Sequence, residues 1–166
     1  MGDDVAIRAA AADDPGAIAE IYNHYIATTV ITFEEDPVSA REMARRIGNV
    51  ASASLPWLVA EREGQVAGYA YASQWKARSA YRFSVEITVY VHPGCPRLGI
   101  GRRLYEELLS ALKARGIHAA FGVIALPNEA SVALHERLGF AKAAHLREVG
   151  FKFGRWIDVG YWQLML

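Results

Sequence analysis

This chain of 166 residues is poor in cysteine, in net charge and in long apolar runs. Its only cysteine, Cys95, cannot form an internal disulfide, which is typical of a protein from a reducing compartment. The 18 basic and 18 acidic side chains cancel, so we expect no broad electrostatic binding of nucleic acid or of an anionic membrane. No apolar run approaches the roughly 20 residues that a membrane-spanning helix needs.

Metal-binding and targeting motifs are also missing. Neither C-x-x-C nor H-E-x-x-H occurs, so no metal site is predicted. A secretory signal begins with a basic segment that is followed by an apolar one, and the first ten residues do not show this pattern. We therefore expect a cytoplasmic protein.

With 52% apolar and 22% charged residues, the composition predicts one globular domain over residues 1–166.

Strand and helix patterns alternate along the chain. Asp14 followed by Pro15 marks the start of a first helix, with Asp14 as its cap. Ser39 and Glu42 form a capping-box pattern that opens a second helix through about Ile47. Strands are predicted at Val5–Ala9, Trp57–Glu61, Gln65–Ser73, Tyr81–Val91, Ala119–Ala125, near Val149–Phe153 and at Asp158–Leu166, and further helices before Gly116 and between Asn128 and Gly139. This order predicts an α/β domain with a mixed central sheet and helices on both faces.

The segment from Glu86 to Arg102 carries the clearest chemical signal. A predicted strand is followed by a turn and by the letters G-I-G at the start of a helix. Glycines there let backbone N–H groups approach an anion, which the positive end of the helix dipole also favours. A tight turn without a ligand is the alternative, because the third glycine of the dinucleotide fingerprint and the Walker lysine are absent. Glu86, on the same strand, is a possible base.

The order of these motifs resembles the GNAT superfamily of acetyl-CoA-dependent N-acetyltransferases. The resemblance rests on the strand I-T-V-Y-V, the loop R-L-G-I-G-R and the segment N-E-A-S-V-A-L-H-E-R-L-G-F. More narrowly, the chain resembles phosphinothricin and methionine sulfoximine N-acetyltransferases through I-Y-N-H-Y-I, P-W-L-V-A-E, W-K-A-R-S-A-Y, T-V-Y-V, L-P-N-E-A-S-V and G-F-K-F-G-R-W-I-D-V-G-Y-W-Q-L. One departure is Pro96, which has no N–H, where the family loop has glutamine or arginine.

The resemblance implies the GNAT fold and acetyl-CoA as co-substrate. It implies that the strand pairs with the pantetheine arm and that the glycine loop holds the pyrophosphate. A backbone N–H near Tyr90 or Val91 would then meet the thioester carbonyl. The implied cofactor-binding residues are Val89, Tyr90, Val91, Arg97, Leu98, Gly99, Ile100, Gly101, Arg102, Asn128 and Ser131.

Glu86 and His135 are the predicted catalytic residues. The amines of free amino acids are mostly protonated at neutral pH, so acetylation needs a base. By resemblance, Glu86 occupies the position of the family's candidate base. His135 stands where many superfamily members carry a tyrosine that protonates the departing thiolate, and imidazole can donate or accept a proton near pH 7. A solvent-facing acid and a structural histidine are the alternatives.

Four residues are predicted to bind the amine substrate. Lys76, Arg78 and Tyr81 form a polar cluster suited to a small zwitterion, since arginine grips an oxyanion with two parallel hydrogen bonds. Phe33 falls where the family places an aromatic wall of the substrate pocket. A basic surface loop and a core phenylalanine are the alternatives.

These features together predict an N-acetyltransferase that moves acetyl from acetyl-CoA to the α-amine of a compound such as phosphinothricin or methionine sulfoximine. Direct attack by the amine is expected. Two alternatives stay open: acetylation of a protein N-terminus or lysine, and a non-catalytic CoA-binding regulatory module. Related enzymes are often dimers, and the apolar end Trp162–Leu166 is compatible with packing in the core or in a homodimer.

Overall fold

The structure, a computed structural model, describes residues 5–166. Residues 1–4, which belong to the segment searched for a secretory signal, lie outside the described part. The strands are β1 (Val5–Ala9), β2 (Trp57–Arg62), β3 (Gln65–Gln74), β4 (Ser84–Val91), β5 (Ala119–Leu126), β6 (Ala141–Lys152) and β7 (Arg155–Met165). The helices are α1 (Pro15–Thr28), α2 (Ala40–Ser52), α3 (Ile100–Ala114) and α4 (Glu129–Arg137). The strands form a seven-stranded sheet in the order β1-β2-β3-β4-β5-β7-β6.

Helices cover both faces of this sheet, which confirms the predicted α/β fold class. Ile18 of α1 is buried in one cluster with Tyr69 of β3. Leu104 of α3 is buried in a second cluster with Ala70 of β3 and Val85 of β4. Because successive strand residues face opposite sides, Tyr69 and Ala70 belong to different layers. The α1–α2 side and the α3–α4 side of the sheet are therefore distinct.

The sheet opens between β4 and β5. These two strands are parallel, and they pair only from Ser84 to Ile87 of β4. On its other edge, β4 pairs with the antiparallel β3 as far as Val91. Beyond Ile87, β4 and β5 therefore separate and leave a gap in the middle of the sheet.

Backbone groups of β4 face this gap. The His92 N–H donates to the Ala67 carbonyl at 2.9 Å, on the β3 side. Since alternate residues of an antiparallel strand direct their N–H and C=O to opposite edges, Val89 and Val91 direct theirs towards the gap. The Val91 carbonyl there accepts a hydrogen bond from the Tyr25 hydroxyl at 2.6 Å. Within residues 5–166, no strand pairs with β4 along this stretch of its edge.

Several predicted boundaries were wrong. Helix α2 continues past Ile47 to Ser52. Tyr81 does not begin a strand, because residues 79–81 form a 3₁₀ turn and β4 begins at Ser84. Strand β6 begins at Ala141, since pairing with β7 imposes an extended conformation on an exposed edge segment that lacks strand periodicity.

The predicted helix caps are confirmed in two of three cases. The side chains of Ser39 and Asn128 each accept a hydrogen bond, at 3.1 Å, from an N–H in the first turn of α2 and α4. Asp14 precedes α1 as predicted but makes no side-chain cap. Its carboxylate instead binds the Arg8 guanidinium through two oxygens, at 2.7 and 2.8 Å, which is a strong bidentate arrangement.

Candidate active site

A cavity of about 270 Å³ lies where β4 and β5 separate. Seven of the predicted site residues line it: Phe33, Glu86, Val89, Tyr90, Asn128, Ser131 and His135. The fold thus brings both predicted catalytic residues and the predicted aromatic wall to one place. Together they come from β4, α4 and the segment between α1 and α2.

Glu86 lies half-buried on the α1–α2 side of the gap. Its neighbours Val85 and Ile87 pack with α3, so strand alternation directs Glu86 to the opposite face. Burial raises the pKa of the Glu86 carboxyl above its usual value, and the nearby charge of Lys76 opposes that rise. A carboxylate with a raised pKa is a stronger base near neutral pH.

His135 is buried in α4 and held in one tautomer. Its Nδ1 lies 2.7 Å from the Ser131 carbonyl oxygen, which can only accept, so Nδ1 carries the hydrogen. The Nε2 atom is buried, and among residues 5–166 it has no hydrogen-bond partner. Burial lowers the pKa of His135, which favours the neutral imidazole with an accepting Nε2.

The imidazole occupies space that a glycine leaves open on the α3–α4 side. A Cβ added to Gly122 of β5 would lie 2.3 Å from His135 Nε2. The ring of Tyr105, on α3, meets the imidazole edge-on at 5.2 Å between centroids. His135 and Glu86 therefore line the same cavity from opposite sides of the sheet.

A second cleft runs between the glycine loop and α4. The predicted cofactor residues that line it are Val91, Arg97, Leu98, Gly99, Ile100, Gly101 and Arg102. Gly99 precedes α3 with φ 69°, in the left-handed region that favours glycine, and makes no side-chain cap. A Cβ at Gly101 would touch Leu134 and Val91 at 3.6 Å, so this glycine faces the cleft. The first N–H groups of α3 are thus available to an anion.

The two predicted loop arginines differ in their surroundings. The Arg102 guanidinium pairs with Glu106 at 2.7 Å, on an exposed part of α3. Arg97 is exposed and has a positive φ of 61°. Both line the cleft, but Arg102 would have to exchange its carboxylate partner for a phosphate.

Lys76, Arg78 and Tyr81 are not among the cavity-lining residues. They lie between β3 and β4, where Lys76 and Arg78 are exposed. Tyr81 packs edge-on against Trp75 at 5.2 Å, and Trp75 stacks on Phe121 at 4.7 Å. Phe121 is paired in register with Glu86, so the segment is anchored next to the base candidate.

Three tyrosines that line the cavity were missed in the sequence: Tyr22, Tyr71 and Tyr105. Tyr22 shares a helical stripe with core residues, and its hydroxyl is 2.7 Å from the Thr32 hydroxyl. Periodicity predicts burial but does not separate a core side chain from a cavity wall. No signal in the sequence identified these tyrosines as part of the site.

Within residues 5–166, no helix has the length and apolar composition needed to cross a membrane. In the same range, no three His, Cys, Asp or Glu side chains are grouped so that they could hold a metal ion.

The sheet with its central gap, the cavity and the uncapped helix start define an acetyltransferase of the GNAT type. A profile of the acetyltransferase (GNAT) domain matches residues 7–160, and the chain belongs to this family. The chain is 47% identical to phosphinothricin N-acetyltransferase of Streptomyces viridochromogenes, over 96% of this chain and 86% of that protein. It is 37% identical to L-methionine sulfoximine/L-methionine sulfone acetyltransferase of Salmonella typhimurium, over 96% of this chain and 94% of that protein.

Solved structures agree with this assignment. A phosphinothricin acetyltransferase of Sinorhizobium meliloti in complex with acetyl-CoA superimposes with a TM-score of 0.95 and 40% identity, covering 98% of this chain and 88% of that one. A ribosomal-protein-alanine N-acetyltransferase of Brucella melitensis gives a TM-score of 0.95 and 37% identity, covering 97% and 99%. The predicted family and the predicted GNAT fold are confirmed.

Proposed function

We propose that this protein transfers the acetyl group of acetyl-CoA to the α-amine of a small amino-acid-like substrate, of the phosphinothricin or methionine sulfoximine kind. One observation carries the proposal. The half-buried Glu86 lines a small cavity at the strand gap, and Val91 of the same strand lines the cleft above the uncapped start of α3. The names of the two curated relatives support the substrate class.

Binding of acetyl-CoA is proposed to use the α3–α4 side. The N–H groups at the start of α3 suit the pyrophosphate, because they are uncapped and lie at the positive end of the helix dipole. The gap-facing backbone groups of Val89 and the carbonyl of Val91 suit the amides of the pantetheine arm, much as they would suit a neighbouring strand. Pro96 lacks an N–H and cannot supply one of the loop's contacts, whereas every residue from Arg97 to Arg102 keeps its N–H.

Glu86 is proposed as the base. It takes a proton from the substrate ammonium, and the neutral amine then forms a bond to the thioester carbonyl carbon. The gap-facing N–H of Val91 is proposed to stabilise the developing oxyanion. Collapse of the adduct breaks the C–S bond, the nitrogen loses its second proton, and the thiolate takes up a proton. The products are the N-acetyl amino acid and CoA.

The part played by His135 depends on its protonation state. Donation to the thiolate needs the imidazolium. Burial lowers the pKa of His135 and favours the neutral form, whereas the hydrogen bond to the Ser131 carbonyl opposes that shift. The variant His135→Phe tests this. If His135 donates, turnover falls and does not recover at high pH. If turnover recovers at high pH, His135 accepts a proton from the amine instead, and the assignment of the base must move to it.

The reaction is tested by thiol release from acetyl-CoA with purified protein and a panel of amines. The panel contains phosphinothricin, methionine sulfoximine, methionine, glutamate and a peptide with an N-terminal alanine. We expect kcat/KM to be highest for phosphinothricin or methionine sulfoximine. The similarity to the Brucella protein makes the peptide the second candidate, and faster release with the peptide would favour it. Binding of acetyl-CoA without release for any amine would favour a regulatory module.

We also propose a cytoplasmic homodimer. Trp162 is buried in the core, so of the C-terminal end only Met165 is an exposed large apolar side chain. Nearer the turn of the β6–β7 hairpin, the exposed apolar side chains are Leu146, Val149, Phe151, Phe153 and Trp156. Such a patch on a surface is typical of an interface. Sedimentation of the wild type and of Trp156→Glu tests the dimer, and cell fractionation tests the location.

A further inference from the structure

The inner side of strand β6 carries two unusual residues at its end. Val149 and Phe151 are exposed, whereas Gly150 and Lys152 between and after them are buried. Lys152 is only 1% exposed, although burying an ammonium group is costly unless it is compensated. A lysine at such a position has to be explained by what its charged end contacts.

The Lys152 ammonium group holds the segment between α1 and α2. Its Nζ donates to the Thr32 carbonyl oxygen at 2.8 Å. Thr32 is itself buried, and its hydroxyl is 2.7 Å from the Tyr22 hydroxyl. The segment is therefore attached to β6 through its backbone and to α1 through a side chain. Residues 31–33 of this segment line the cavity.

Gly150 contacts the same segment at Phe33, the residue after Thr32. A Cβ added to Gly150 would lie 2.4 Å from two ring atoms of Phe33. The absence of a side chain at this position is what lets the Phe33 ring lie against β6. Phe33 is 40% exposed, so this ring is not held in place by a surrounding core.

We propose that Gly150 and Lys152 are positioning residues that place the Phe33 wall of the cavity, and that they thereby set the fit of the amine substrate. This rests on the proposed function of the cavity. The wall belongs to the side that carries Tyr22 and Glu86, and not to the side of the glycine loop. Displacement of the Phe33 wall should therefore lower kcat/KM for the amine and leave acetyl-CoA binding unchanged.

The first test replaces Lys152 by methionine, which keeps the length of the side chain and removes the donor. We expect kcat/KM for the amine to fall roughly tenfold to a hundredfold, as for a misplaced substrate wall. The KM for acetyl-CoA should stay within about twofold of the wild-type value, whereas loss of one contact to acetyl-CoA would raise it roughly tenfold. Lys142→Met, the same change at an exposed position of β6, is the matched control and should behave like the wild type. Lys152→Arg, which keeps a donor and its charge, should restore part of the loss.

Hydrogen exchange provides a readout that does not depend on turnover. In Lys152→Met, amides of residues 29–36 should exchange faster, while those of residues 97–104 should not change. A structural role of Lys152 limited to overall stability would accelerate both. Unchanged exchange over residues 29–36 would overturn the proposal even if the enzyme is an acetyltransferase. Faster exchange there would support the attachment even if the proposed substrates are not acetylated.

The second test examines Gly150 and remains informative if Lys152→Met does not fold. Gly150→Ala should lower kcat/KM for the amine roughly tenfold or more, because the added methyl group and the Phe33 ring cannot both keep their places. The Phe33→Leu variant lacks the ring atoms that the new methyl group would meet. In that background, Gly150→Ala should change kcat/KM by less than about twofold, because the two positions are coupled only through the ring. Additive effects in this cycle would mean that Gly150 does not act through Phe33.

Discussion

The two sides of the strand gap are built in different ways. On the α3–α4 side, the proposed anion site uses the backbone of consecutive residues, Arg97 to Arg102, at a helix start without a side-chain cap. On the α1–α2 side, the cavity wall uses side chains from separate elements, including Tyr22, Phe33 and Glu86. A backbone site is specified by local sequence and binds a ligand group of fixed chemistry. A side-chain site depends on long-range packing and can be adapted to different amines.

The largest effect should come from Glu86→Gln, which removes the proposed base on the α1–α2 side. We expect turnover to fall roughly 10²–10⁴-fold near neutral pH, the usual range for a positioned base. Part of the rate should return at high pH, where more of the amine is already neutral. The variant should still bind acetyl-CoA, as measured by calorimetry.

The pH profile of the wild type sharpens this prediction. Burial raises the pKa of Glu86, and only its deprotonated form accepts a proton. Activity should therefore be present above that raised pKa and be lost as the pH falls through it, with a midpoint above the usual 4.5 of glutamate. Glu86→Gln should lose this acidic limb. If the variant still loses activity as the pH falls, that loss is caused by the titration of another group.

Gly101→Val should break the α3–α4 side. Its branched side chain would fill the cleft between α3, Leu134 and Val91 and keep a phosphate from the backbone. Loss of two or more charge-assisted hydrogen bonds predicts acetyl-CoA binding more than roughly 100-fold weaker. Gly101→Ala is the control, since a Cβ there has ordinary contacts of 3.6 Å. Unchanged affinity in folded Gly101→Val would place the phosphate site elsewhere.

Arg78→Ala tests whether the exposed segment beside Glu86 serves the amine. Loss of one partly solvated charged contact should raise the KM for the amine roughly tenfold and leave the KM for acetyl-CoA nearly unchanged. Arg82→Ala is the matched control, because Arg82 lies in the same segment and packs over Phe83. Equal losses for both substrates would mean that Arg78 serves the cofactor or the fold.

Asn128→Ala should have the smallest effect and compares the two helix starts directly. Asn128 caps α4 at 3.1 Å, whereas α3 has no side-chain cap. Removing the cap should lower the free energy of unfolding by about 1 kcal/mol, as in other helices. Thermal unfolding measures this. Weaker stabilisation of the variant than of the wild type by acetyl-CoA would support the cofactor contact that the family resemblance implies for Asn128, and equal stabilisation would limit Asn128 to the cap.

Much of the fold was predictable because its signals are local. The Ser39 and Asn128 caps, Pro15 at the start of α1 and the glycines before α3 act within a few residues of their own positions. The edge strand β6 was largely missed, since most of its residues are exposed and its sequence has no alternating pattern, so its extended form follows from pairing with β7. The strand predicted to begin at Tyr81 was also wrong, since Tyr81 lies in a 3₁₀ turn, where its ring packs against Trp75.

The sequence by itself determined the family, the strand that carries Glu86 and the glycine loop with its helix, because each of these is a property of a continuous segment. Only the tertiary structure decided that Glu86 and His135 face one cavity from opposite sides and that Lys152 holds Thr32. These contacts join residues whose separation along the chain carries no pattern, so they follow from how the sheet opens and what packs against it.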